Sequence, residues 1–280
     1  MAHLEKTERT TLRRLPSRGS HDRAVIHGIL DEGQVCHIAA VDHGTAAMIP
    51  TGYVRDGDRI LIHGSKASRM MRLLASGIDA SVCITIVDGF VLARSAFHHS
   101  MNYRSVIMFG KAEPLEGEVK RGAMTRFLEG LCPGRSSECR EPSEKELDAT
   151  TVVAFPIHEA SAKIRTGPPI DDDEDYESGH WAGVVPIKMI NIDPIPDPKL
   201  DPAIPIPQHV RDRVTRFSSL AMKPQCERCH AEIGPDDEVF ICSWECTFCP
   251  GCAEGMGRVC PNCSGELLLR PRRIGSNSEI

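Results

Sequence analysis

Short apolar stretches, many of them alternating with polar residues and most bounded by Gly or Asp, recur through the first two thirds of the 280-residue chain. Alternation with a period of two predicts half-buried β-strands, and a short continuous apolar run predicts a fully buried strand. The dipeptide Asp88-Gly89 predicts a hairpin turn at residues 87–89. The predicted strands cover residues 35–41, 46–54, 59–64, 80–87, 90–94, 105–112, 152–165 and 183–191.

Helical periodicity is less frequent than strand periodicity in this region. It predicts helices at residues 21–32, 66–76 and 117–130, the first two ending before Gly33 and Gly77. The apolar side predicted for the third helix consists of Val119, Met124, Phe127 and Leu128. Because antiparallel strands outnumber helices, we expect a mainly β fold with flanking helices, in which a small barrel has the helices packed outside it.

A proline-rich segment, PIPDPKLDPAIPIP at residues 194–207, interrupts these patterns. Prolines at this density exclude a helix or a central strand but are compatible with extended polyproline-like backbone. Residues 208–220 then predict a short helix. We therefore expect a body at residues 1–193, a linker at 194–222 and a cysteine-rich domain at 223–273.

The composition excludes several classes of protein. The chain has no run of the roughly 18 to 20 apolar residues that a transmembrane helix needs, and its start carries charges where a signal peptide is apolar. We therefore expect a cytoplasmic protein that does not bind membranes. A net charge of −6 and a pI near 6.1 predict no nucleic-acid partner. The acidic run at residues 171–175 is interpreted as a solvated loop.

Eight of the twelve cysteines lie close together, between residues 226 and 263. A cytoplasmic location and this spacing favour zinc over disulfides or an iron–sulfur cluster. Eight thiolates in four pairs predict two zinc ions per chain, each with four sulfur ligands. Alternating pairs would give a RING-like cross-brace, and sequential pairs would give a zinc-ribbon-like arrangement. The predicted ligands are Cys226, Cys229, Cys242, Cys246, Cys249, Cys252, Cys260 and Cys263.

The segment HGSKASR at residues 63–69 runs from a predicted strand into the first turn of a predicted helix. Free backbone N–H groups at a helix start attract anions, and Ser65, Ser68 and Arg69 add two hydroxyls and a guanidinium. The segment is therefore a candidate phosphate site. The simpler interpretation is that Ser65 only caps the helix and that Arg69 is solvated.

Six motifs in order identify a family resemblance over about residues 9–197. They are ILDEG at 29–33, IPT at 49–51, HGSKASR at 63–69, LARSAFHHSMNYRSV at 92–106, KIRTGPPID at 163–171 and WAGVVP at 181–186. The body resembles the FMN-binding split β-barrels, in the branch of the pyridoxamine 5′-phosphate oxidase superfamily whose members are called oxidase-related or flavin-nucleotide-binding proteins. The resemblance implies a split barrel and a homodimer, with FMN as the cofactor.

The resemblance also implies which residues hold FMN. The family binds the phosphate with the strand-to-helix segment and the flavin ring with the strand after IPT, with the NYRSV strand and with residues of the partner subunit. The FMN contacts implied in this sequence are Pro50, Thr51, His63, Gly64, Ser65, Ser68, Arg69, Asn102, Arg104, Ser105, Lys163, Arg165 and Trp181. Of the adjacent His98 and His99, we expect at most one to reach the pocket, because neighbouring residues of an extended chain face opposite ways.

The sequence departs from the true oxidases at the end of the body. Those enzymes end with a strand that carries an Arg-Leu-His-Asp-Arg element, whereas this chain passes from WAGVVPIKMINI into the proline-rich linker. The resemblance therefore does not extend to pyridoxamine 5′-phosphate oxidase activity. Related split barrels similar to nitroimidazole reductases place a histidine at the position of His63, which makes this residue the candidate catalytic group.

The cysteine-rich segment resembles a family of small bacterial eight-cysteine domains of unknown function, through ICSWECTFC and CPNCSGEL. With all zinc positions filled by thiolates, this domain is expected to be structural and to bind a protein partner or brace the body. Two functions remain for the whole chain. The first is an FMN-dependent oxidoreductase acting on a small-molecule substrate. The second is a non-catalytic flavin-binding module with a zinc-stabilised tail that binds a partner.

Overall fold

A computed structural model describes residues 3–215, 223–234, 237–242, 246–262 and 265–270 of the chain. The chain divides into two compact units. The first consists of Met1–Met189 and Asp201–Arg213, and the second of Ile190–Leu200 and Val214–Ile280. Residues 190–207 contain no helix or strand, as the prolines require. The boundaries predicted at residues 193 and 222 stay predictions.

The first unit is built mainly from antiparallel strands. In chain order the strands are β1 Gly19–Ser20, β2 Val35–Asp42, β3 Thr45–Gly52, β4 Val54–Asp56, β5 Arg59–Ser65, β6 Asp79–Leu92, β7 Ser100–Lys111, β8 Glu113–Pro114, β9 Thr150–Pro156, β10 Glu159–Arg165 and β11 Gly183–Pro186. The helices are α1 Arg23–Glu32, α2 Arg69–Ala75, α3 Gly117–Leu131, α4 Glu144–Ala149 and, across the boundary to the second unit, α5 Gln208–Thr215.

Two sheets contribute to a common core. The larger has the strand order β1-β10-β7-β6-β2-β3, with β11 added beside β6, and the smaller has the order β4-β5-β9-β8. Alternate residues of β6 and β7, such as Ile84 and Val106, are fully buried and pack with Ile62 and Phe155 of the smaller sheet. This alternation is the pattern from which the sequence predicted the strands, and the mainly β fold with flanking helices is confirmed.

Helix α1 covers one side of this core. The Asp22 carboxylate accepts hydrogen bonds from the N–H groups of Ala24 at 2.8 Å and Val25 at 3.2 Å, which caps the helix start. After the last turn, a Cβ on Gly33 would lie 2.5 Å from the Tyr53 hydroxyl oxygen and 2.6 Å from Ile84 Cγ2. Glycine is therefore required at this position for close packing rather than for an unusual backbone angle.

The hairpin predicted at residues 87–89 is wrong. Strand β6 continues through this segment to Leu92, and its register with β7 shifts between Val87 and Gly89. The extra residue, Asp88, is therefore part of a β-bulge. A Cβ on Gly89 would lie 2.8 Å from the carbonyl oxygen of Val185 in β11. An Asp-Gly pair suits a bulge as well as a turn, so the dipeptide alone could not separate the two.

Several other predicted elements have different bounds. The strand predicted at 46–54 is β3 and β4, which belong to different sheets. The strand predicted at 152–165 is two strands, β9 and β10, which belong to different sheets. The strand predicted at 183–191 ends at Pro186, and the helix predicted from residue 66 begins only after Ser68, which is its N-cap. Helix α3 buries Lys120, Ala123 and Phe127, whereas Val119 is 56% exposed. The predicted apolar side is thus confirmed for Phe127 and Met124, which pack in a buried cluster with Ala123, and is wrong for Val119.

The second unit is small and rich in cysteine. Its described strands are β12 Phe240–Ile241, β13 Thr247–Phe248 and β14 Leu268–Leu269, and its helix is α6 Pro250–Gly255. The strands form an antiparallel sheet with β12 in the centre. The buried cluster contains Val239, Phe240, Phe248 and Leu267 together with four cysteines. With so few apolar side chains, the unit has little core of its own.

In the part of the chain that the structure describes, no helix combines the length and apolar character needed to cross a membrane.

Candidate functional site

The predicted phosphate segment joins β5 to α2. The Ser68 hydroxyl accepts a hydrogen bond from the Met71 N–H at 3.5 Å, and the Ser65 hydroxyl accepts one from the Ala67 N–H at 3.2 Å. The Arg69 guanidinium is exposed and pairs with the Asp42 carboxylate at 2.6 Å. Helix α2 is therefore capped, but by Ser68 and not by Ser65, and Arg69 is ion-paired and not merely solvated, so the simpler interpretation is wrong for both residues. The three side chains nonetheless lie together at an exposed helix start, where an anion can reach them.

His63 and Gly64 precede this segment on the same strand. The His63 ring is exposed on one side and packs edge-on against the Phe127 ring of α3, with 4.3 Å between the ring centroids. Partial burial against these protein atoms lowers the pKa of the imidazole, so it is neutral at pH 7. A Cβ on Gly64 would lie 2.9 Å from Met71 Cγ, which lets α2 approach β5 closely.

The stretch SAFHHSMNYRSV begins as a loop at Ser95 and continues from Ser100 as strand β7. Nδ1 of His98 lies 2.9 Å from the Ser95 hydroxyl, and Nδ1 of His99 lies 2.9 Å from the Ser95 carbonyl oxygen. His98 also comes within 4.8 Å of the carboxylates of Asp172 and Asp175. Both imidazoles are thus held by one residue of the loop.

The loop is anchored by a residue that the sequence interpretation missed. Asp171, taken as part of a solvated acidic run, has a fully buried carboxylate that accepts hydrogen bonds from the N–H groups of Arg94 at 3.0 Å and Ser95 at 3.3 Å. It also pairs with the Arg94 guanidinium at 3.2 Å. Burial raises the pKa of this carboxyl, but the hydrogen bonds outweigh burial and lower it. Asp171 is the last residue of the motif KIRTGPPID, and its place in this motif is the sequence signal that could have identified it.

On β7, the residues predicted to contact flavin already have protein partners. The Arg104 guanidinium donates to the carboxylates of Asp88, at 2.6 and 2.9 Å, and Glu32, at 2.7 Å, which commits four of its five N–H donors. The neighbouring Ser105 hydroxyl donates to the Lys163 carbonyl oxygen at 3.3 Å. Because neighbouring side chains of a strand point to opposite faces, Arg104 and Ser105 cannot both line one pocket.

Other predicted residues lie on neighbouring strands of the larger sheet. Asn102 of β7 is buried and accepts a hydrogen bond from the guanidinium of Arg165, at the end of β10. Pro50 and Thr51 lie on β3, the edge strand, opposite His37 and Cys36 of β2. Trp181 precedes β11 and is 68% exposed. A cleft of the smaller sheet, lined by Asp56, Asp58, Arg59, Glu113, Ala154, Pro156 and His158, contains none of the predicted residues.

The described cysteines of the second unit form two groups. The sulfur atoms of Cys226, Cys229, Cys249 and Cys252 lie within 4.8 Å of one another, and so do those of Cys242, Cys246 and Cys260. Cys263, predicted to complete the second group, lies outside the described residues. Alternating pairs are therefore brought together, which is the cross-brace of the two arrangements that the spacing left open. None of the described cysteines is in a disulfide.

The chemistry of both cysteine groups suits a thiophilic metal. Burial raises the pKa of the Cys226 thiol, but hydrogen bonds from backbone N–H groups, chiefly those of Cys229 and Cys249, outweigh burial and lower this pKa to about 6. In the second group, the Asn262 side-chain amide lies 3.5 Å from the Cys246 sulfur and donates to it. Sequence analysis missed Asn262, although it lies between two cysteines in the motif CPNCSGEL.

Comparison with known proteins identifies the first unit. A protein family described as "Pyridoxamine 5'-phosphate oxidase" matches residues 22–164, just over half of the chain. The chain belongs to this family. The resemblance inferred from the six motifs is thereby confirmed at the level of the family and its fold. Residues 219–273 match a second family, a protein family of unknown function, which confirms the resemblance of the tail.

Two solved structures of flavoproteins are similar to the chain over most of their length. The flavocytochrome Anf3 from Azotobacter vinelandii is 37% identical, with a TM-score of 0.70, over 74% of this chain and 97% of that protein. A FAD- and heme-binding protein from Mycobacterium smegmatis is 37% identical, with a TM-score of 0.69, over 70% of this chain and 97% of that protein. In addition, an uncharacterised protein of Rhizobium meliloti (strain 1021) is 51% identical over 59 residues, which are 20% of this chain and 70% of that protein.

Proposed function

We propose that the protein is a flavin-dependent oxidoreductase acting on a small molecule. The observation that carries this proposal is the 37% identity to two flavoproteins across almost their whole length. A bound flavin supplies hydride or electron transfer, and the protein supplies binding, orientation and a shaped pocket. We keep FMN as the expected flavin, with FAD as the rival that the Mycobacterium smegmatis protein suggests.

The start of α2 fits a flavin phosphate. Ser65 and Arg69 are exposed, and Ser68 is half-buried with its hydroxyl at the helix start. These groups would hold the phosphate by hydrogen bonds and charge, with Asp42 as the competitor for Arg69. His63 lies two residues before Ser65 on β5 and would be the neutral proton donor or acceptor near the flavin.

The flavin ring would lie against residues of the larger sheet. Ser105, Lys163 and Trp181 have exposed or half-buried side chains that can contact the ring. Pro50 and Thr51 are the contacts proposed on β3. To contact a flavin, Arg104 would have to break its ion pair with Glu32 or with Asp88. These ion pairs instead favour a structural role, in which Arg104 joins β7 to α1 and to the bulge of β6.

The absorption spectrum of the purified full-length protein tests the proposal first. We expect flavin bands that bleach with NADPH or NADH and return when an electron acceptor is added. Colourless protein that does not bind added FMN or FAD would reject flavin binding. A flavin that no donor reduces would reject the oxidoreductase function.

A flavin–heme electron carrier is the second candidate. It is favoured by the two similar structures, one described as a flavocytochrome and the other as FAD- and heme-binding. Histidine is a common axial ligand of heme iron, and the exposed or half-buried His63, His98 and His99 offer imidazoles in this unit. A Soret band that shifts on reduction supports this candidate, and its absence from protein expressed with added heme precursor rejects it.

We further propose that the protein is a homodimer. The face of the larger sheet that points away from the core exposes Val35, Val41, Met48 and Ile107, each at least 41% exposed. Large apolar side chains on one sheet face favour burial against a second copy. We expect sedimentation to give a dimer for the full chain and for a chain shortened after Pro198. A monomer in both cases rejects the proposal.

For the second unit, we propose two zinc ions per chain in a cytoplasmic protein. Four thiolates fill the tetrahedral shell of the first ion, and Cys263 would complete the second. Neither ion then keeps a position for a substrate, so the zinc is structural and the unit is a candidate surface for a protein partner. Metal analysis of the purified protein is the test.

A further inference from the structure

Arg165, the last residue of β10, has a buried guanidinium without an acidic partner among the described residues. The residue is only 7% exposed. Its hydrogen bonds run to neutral oxygens only, namely the Asn102 side chain and the carbonyl groups of Gly167 and Pro168, the last two at 3.4 Å. Its Nε–H is buried and has no hydrogen-bond partner in the described part of the chain.

A buried charge in such surroundings is costly. Guanidinium groups removed from water are normally paired with a carboxylate or a bound anion. Three half-buried arginines of this unit follow that rule, since Arg55 pairs with Asp31, Arg94 with Asp171 and Arg104 with Glu32 and Asp88. Arg165 is more deeply buried than these three and has no such carboxylate among the described residues, so its charge calls for a partner from elsewhere.

A second positive charge lies near this guanidinium. Arg18 directly precedes β1, where Gly19 pairs with Lys163, so the antiparallel register places Arg18 alongside the end of β10. Burial lowers the pKa of Arg165, and the charge of Arg18 lowers it further. Two like charges held close together attract an anion that neither would bind as well alone.

This site is separate from the phosphate segment at α2. Arg165 lies opposite Tyr103 of β7, which in turn lies opposite Val87 of β6. Arg69 pairs with Asp42, which lies two residues after Ala40 on β2. Ala40 in turn lies opposite Ala80, at the start of β6. Seven residues from Ala80 to Val87 span roughly 23 Å of strand, so Arg69 and Arg165 cannot hold the same phosphate.

We propose that Arg165 and Arg18 form an oxyanion subsite that binds a phosphate group, with Asn102 holding the guanidinium in place. The phosphate is either the second phosphate of FAD or that of a nucleotide electron donor, since the first flavin phosphate is assigned to Ser65, Ser68 and Arg69. The identity of the ligand rests on the proposed function, whereas the binding of an oxyanion does not. A guanidinium fork matches the geometry of phosphate oxygens.

The first experiment uses inorganic phosphate as the probe and the full-length protein as purified. Thermal unfolding is followed with increasing phosphate, with chloride keeping the ionic strength constant. We expect phosphate to raise the midpoint of the wild type, and to raise it much less for Arg165→Lys and Arg18→Gln. Arg55→Gln, which removes an arginine already paired with Asp31, is the control and should respond like the wild type. Because Arg18 is half-exposed, its variant remains informative if Arg165→Lys does not fold.

The second experiment identifies the source of the phosphate. Dissociation constants for riboflavin, FMN and FAD, and the Michaelis constant for NADPH, are compared between wild type and Arg18→Gln or Arg165→Lys. A loss of about tenfold to a hundredfold for FAD alone assigns the second flavin phosphate, and the same loss for NADPH alone assigns the donor. A loss of affinity for FMN but not for riboflavin supports the subsite, and it means that the subsite binds the first flavin phosphate in place of Arg69.

The outcomes that overturn the inference are equally definite. They are a wild-type midpoint that does not respond to phosphate, or a response that is the same in Arg165→Lys, Arg18→Gln and wild type. If the wild type binds no flavin, the proposed function fails, and the phosphate titration still decides whether the oxyanion subsite exists.

Discussion

Arg69 and Asp42 form an ion pair, with 2.6 Å between the guanidinium and the carboxylate, at the start of α2. Arg69 is the cation that the sequence assigns to the flavin phosphate, and Asp42 ends the neighbouring strand β2. The Arg69 side chain is 58% exposed, so water screens the pair and limits its contribution to stability, although the Asp42 side chain is only 16% exposed. The carboxylate therefore competes with a phosphate without preventing it from binding.

Asp42→Asn is expected to strengthen FMN binding, because it removes this competing charge. An exposed ion pair is worth about 0.2–1 kcal/mol, so the gain is at most about fivefold. Arg69→Ala should weaken FMN by about tenfold to a hundredfold, since a charged hydrogen bond is lost. Fluorescence titration measures both effects. Riboflavin should bind all variants equally, and Arg72→Ala, an exposed arginine of the same helix, should leave FMN affinity unchanged.

Arg104→Gln is expected to destabilise the first unit at pH 7 by about 1–2 kcal/mol, a value reduced for the partial exposure of Glu32. Its hydrogen bonds to Arg104 lower the pKa of the Glu32 carboxyl, although burial acts in the opposite direction. Because the pKa of this carboxyl is lower in the folded state, the ionised group stabilises the fold at pH values above its pKa in the unfolded state, near 4.3. This stabilisation is lost as the pH falls through the pKa of the folded state.

Urea unfolding of wild type and Arg104→Gln at a series of pH values measures this effect. The difference in unfolding free energy should be constant from pH 7 to about pH 5 and should shrink below about pH 4. Arg104→Lys, which keeps the charge but not the planar fork, should lie between the two. A difference that stays the same at all pH values would mean that Arg104 acts through packing alone.

Elemental analysis of protein purified without added metal should give two zinc ions per chain. Removing the zinc with a chelator at neutral pH should unfold the second unit, because its apolar core is too small to fold without metal. Circular dichroism and proteolysis of the tail follow the loss. Iron in the place of zinc, or metal-free protein with oxidised cysteines, would contradict the assignment of the eight cysteines.

Asn262→Ala is expected to weaken one zinc site and spare the other. Asn262 donates a hydrogen bond to the sulfur of Cys246, and such partners of metal ligands typically change metal affinity by about 10-fold to 100-fold. Competition with a chromophoric chelator should show one ion released early and one unchanged. Gln225→Ala, an exposed residue beside Cys226 of the first group, is the control. Early release of both ions would mean that the variant unfolds the whole tail.

Much of the architecture could be predicted because it depends on local patterns. Alternation of apolar and polar residues located most strands of the two sheets, and the cysteine spacing located the tail whose sulfur atoms lie in two groups. Prediction from local patterns failed where the same sequence signal is compatible with two structures, or where a signal was not used. Asp88-Gly89 suits a turn or a bulge. In the segment at residues 152–165 a breaker was present, since Pro156 ends β9, and the sequence interpretation did not use it.

By itself, the sequence determined the family, the strand content and the cysteine-rich tail, because periodicity, motifs and spacing are carried by residues close together in the chain. Only the tertiary structure decided which cysteine pairs lie together, that Asp171 is buried under the loop at Ser95, and that Arg165 has no acidic partner among the residues described. Each of these facts depends on groups that are far apart in sequence. Pairing and burial of charges are set by the packing of strands and loops, and no local pattern records them.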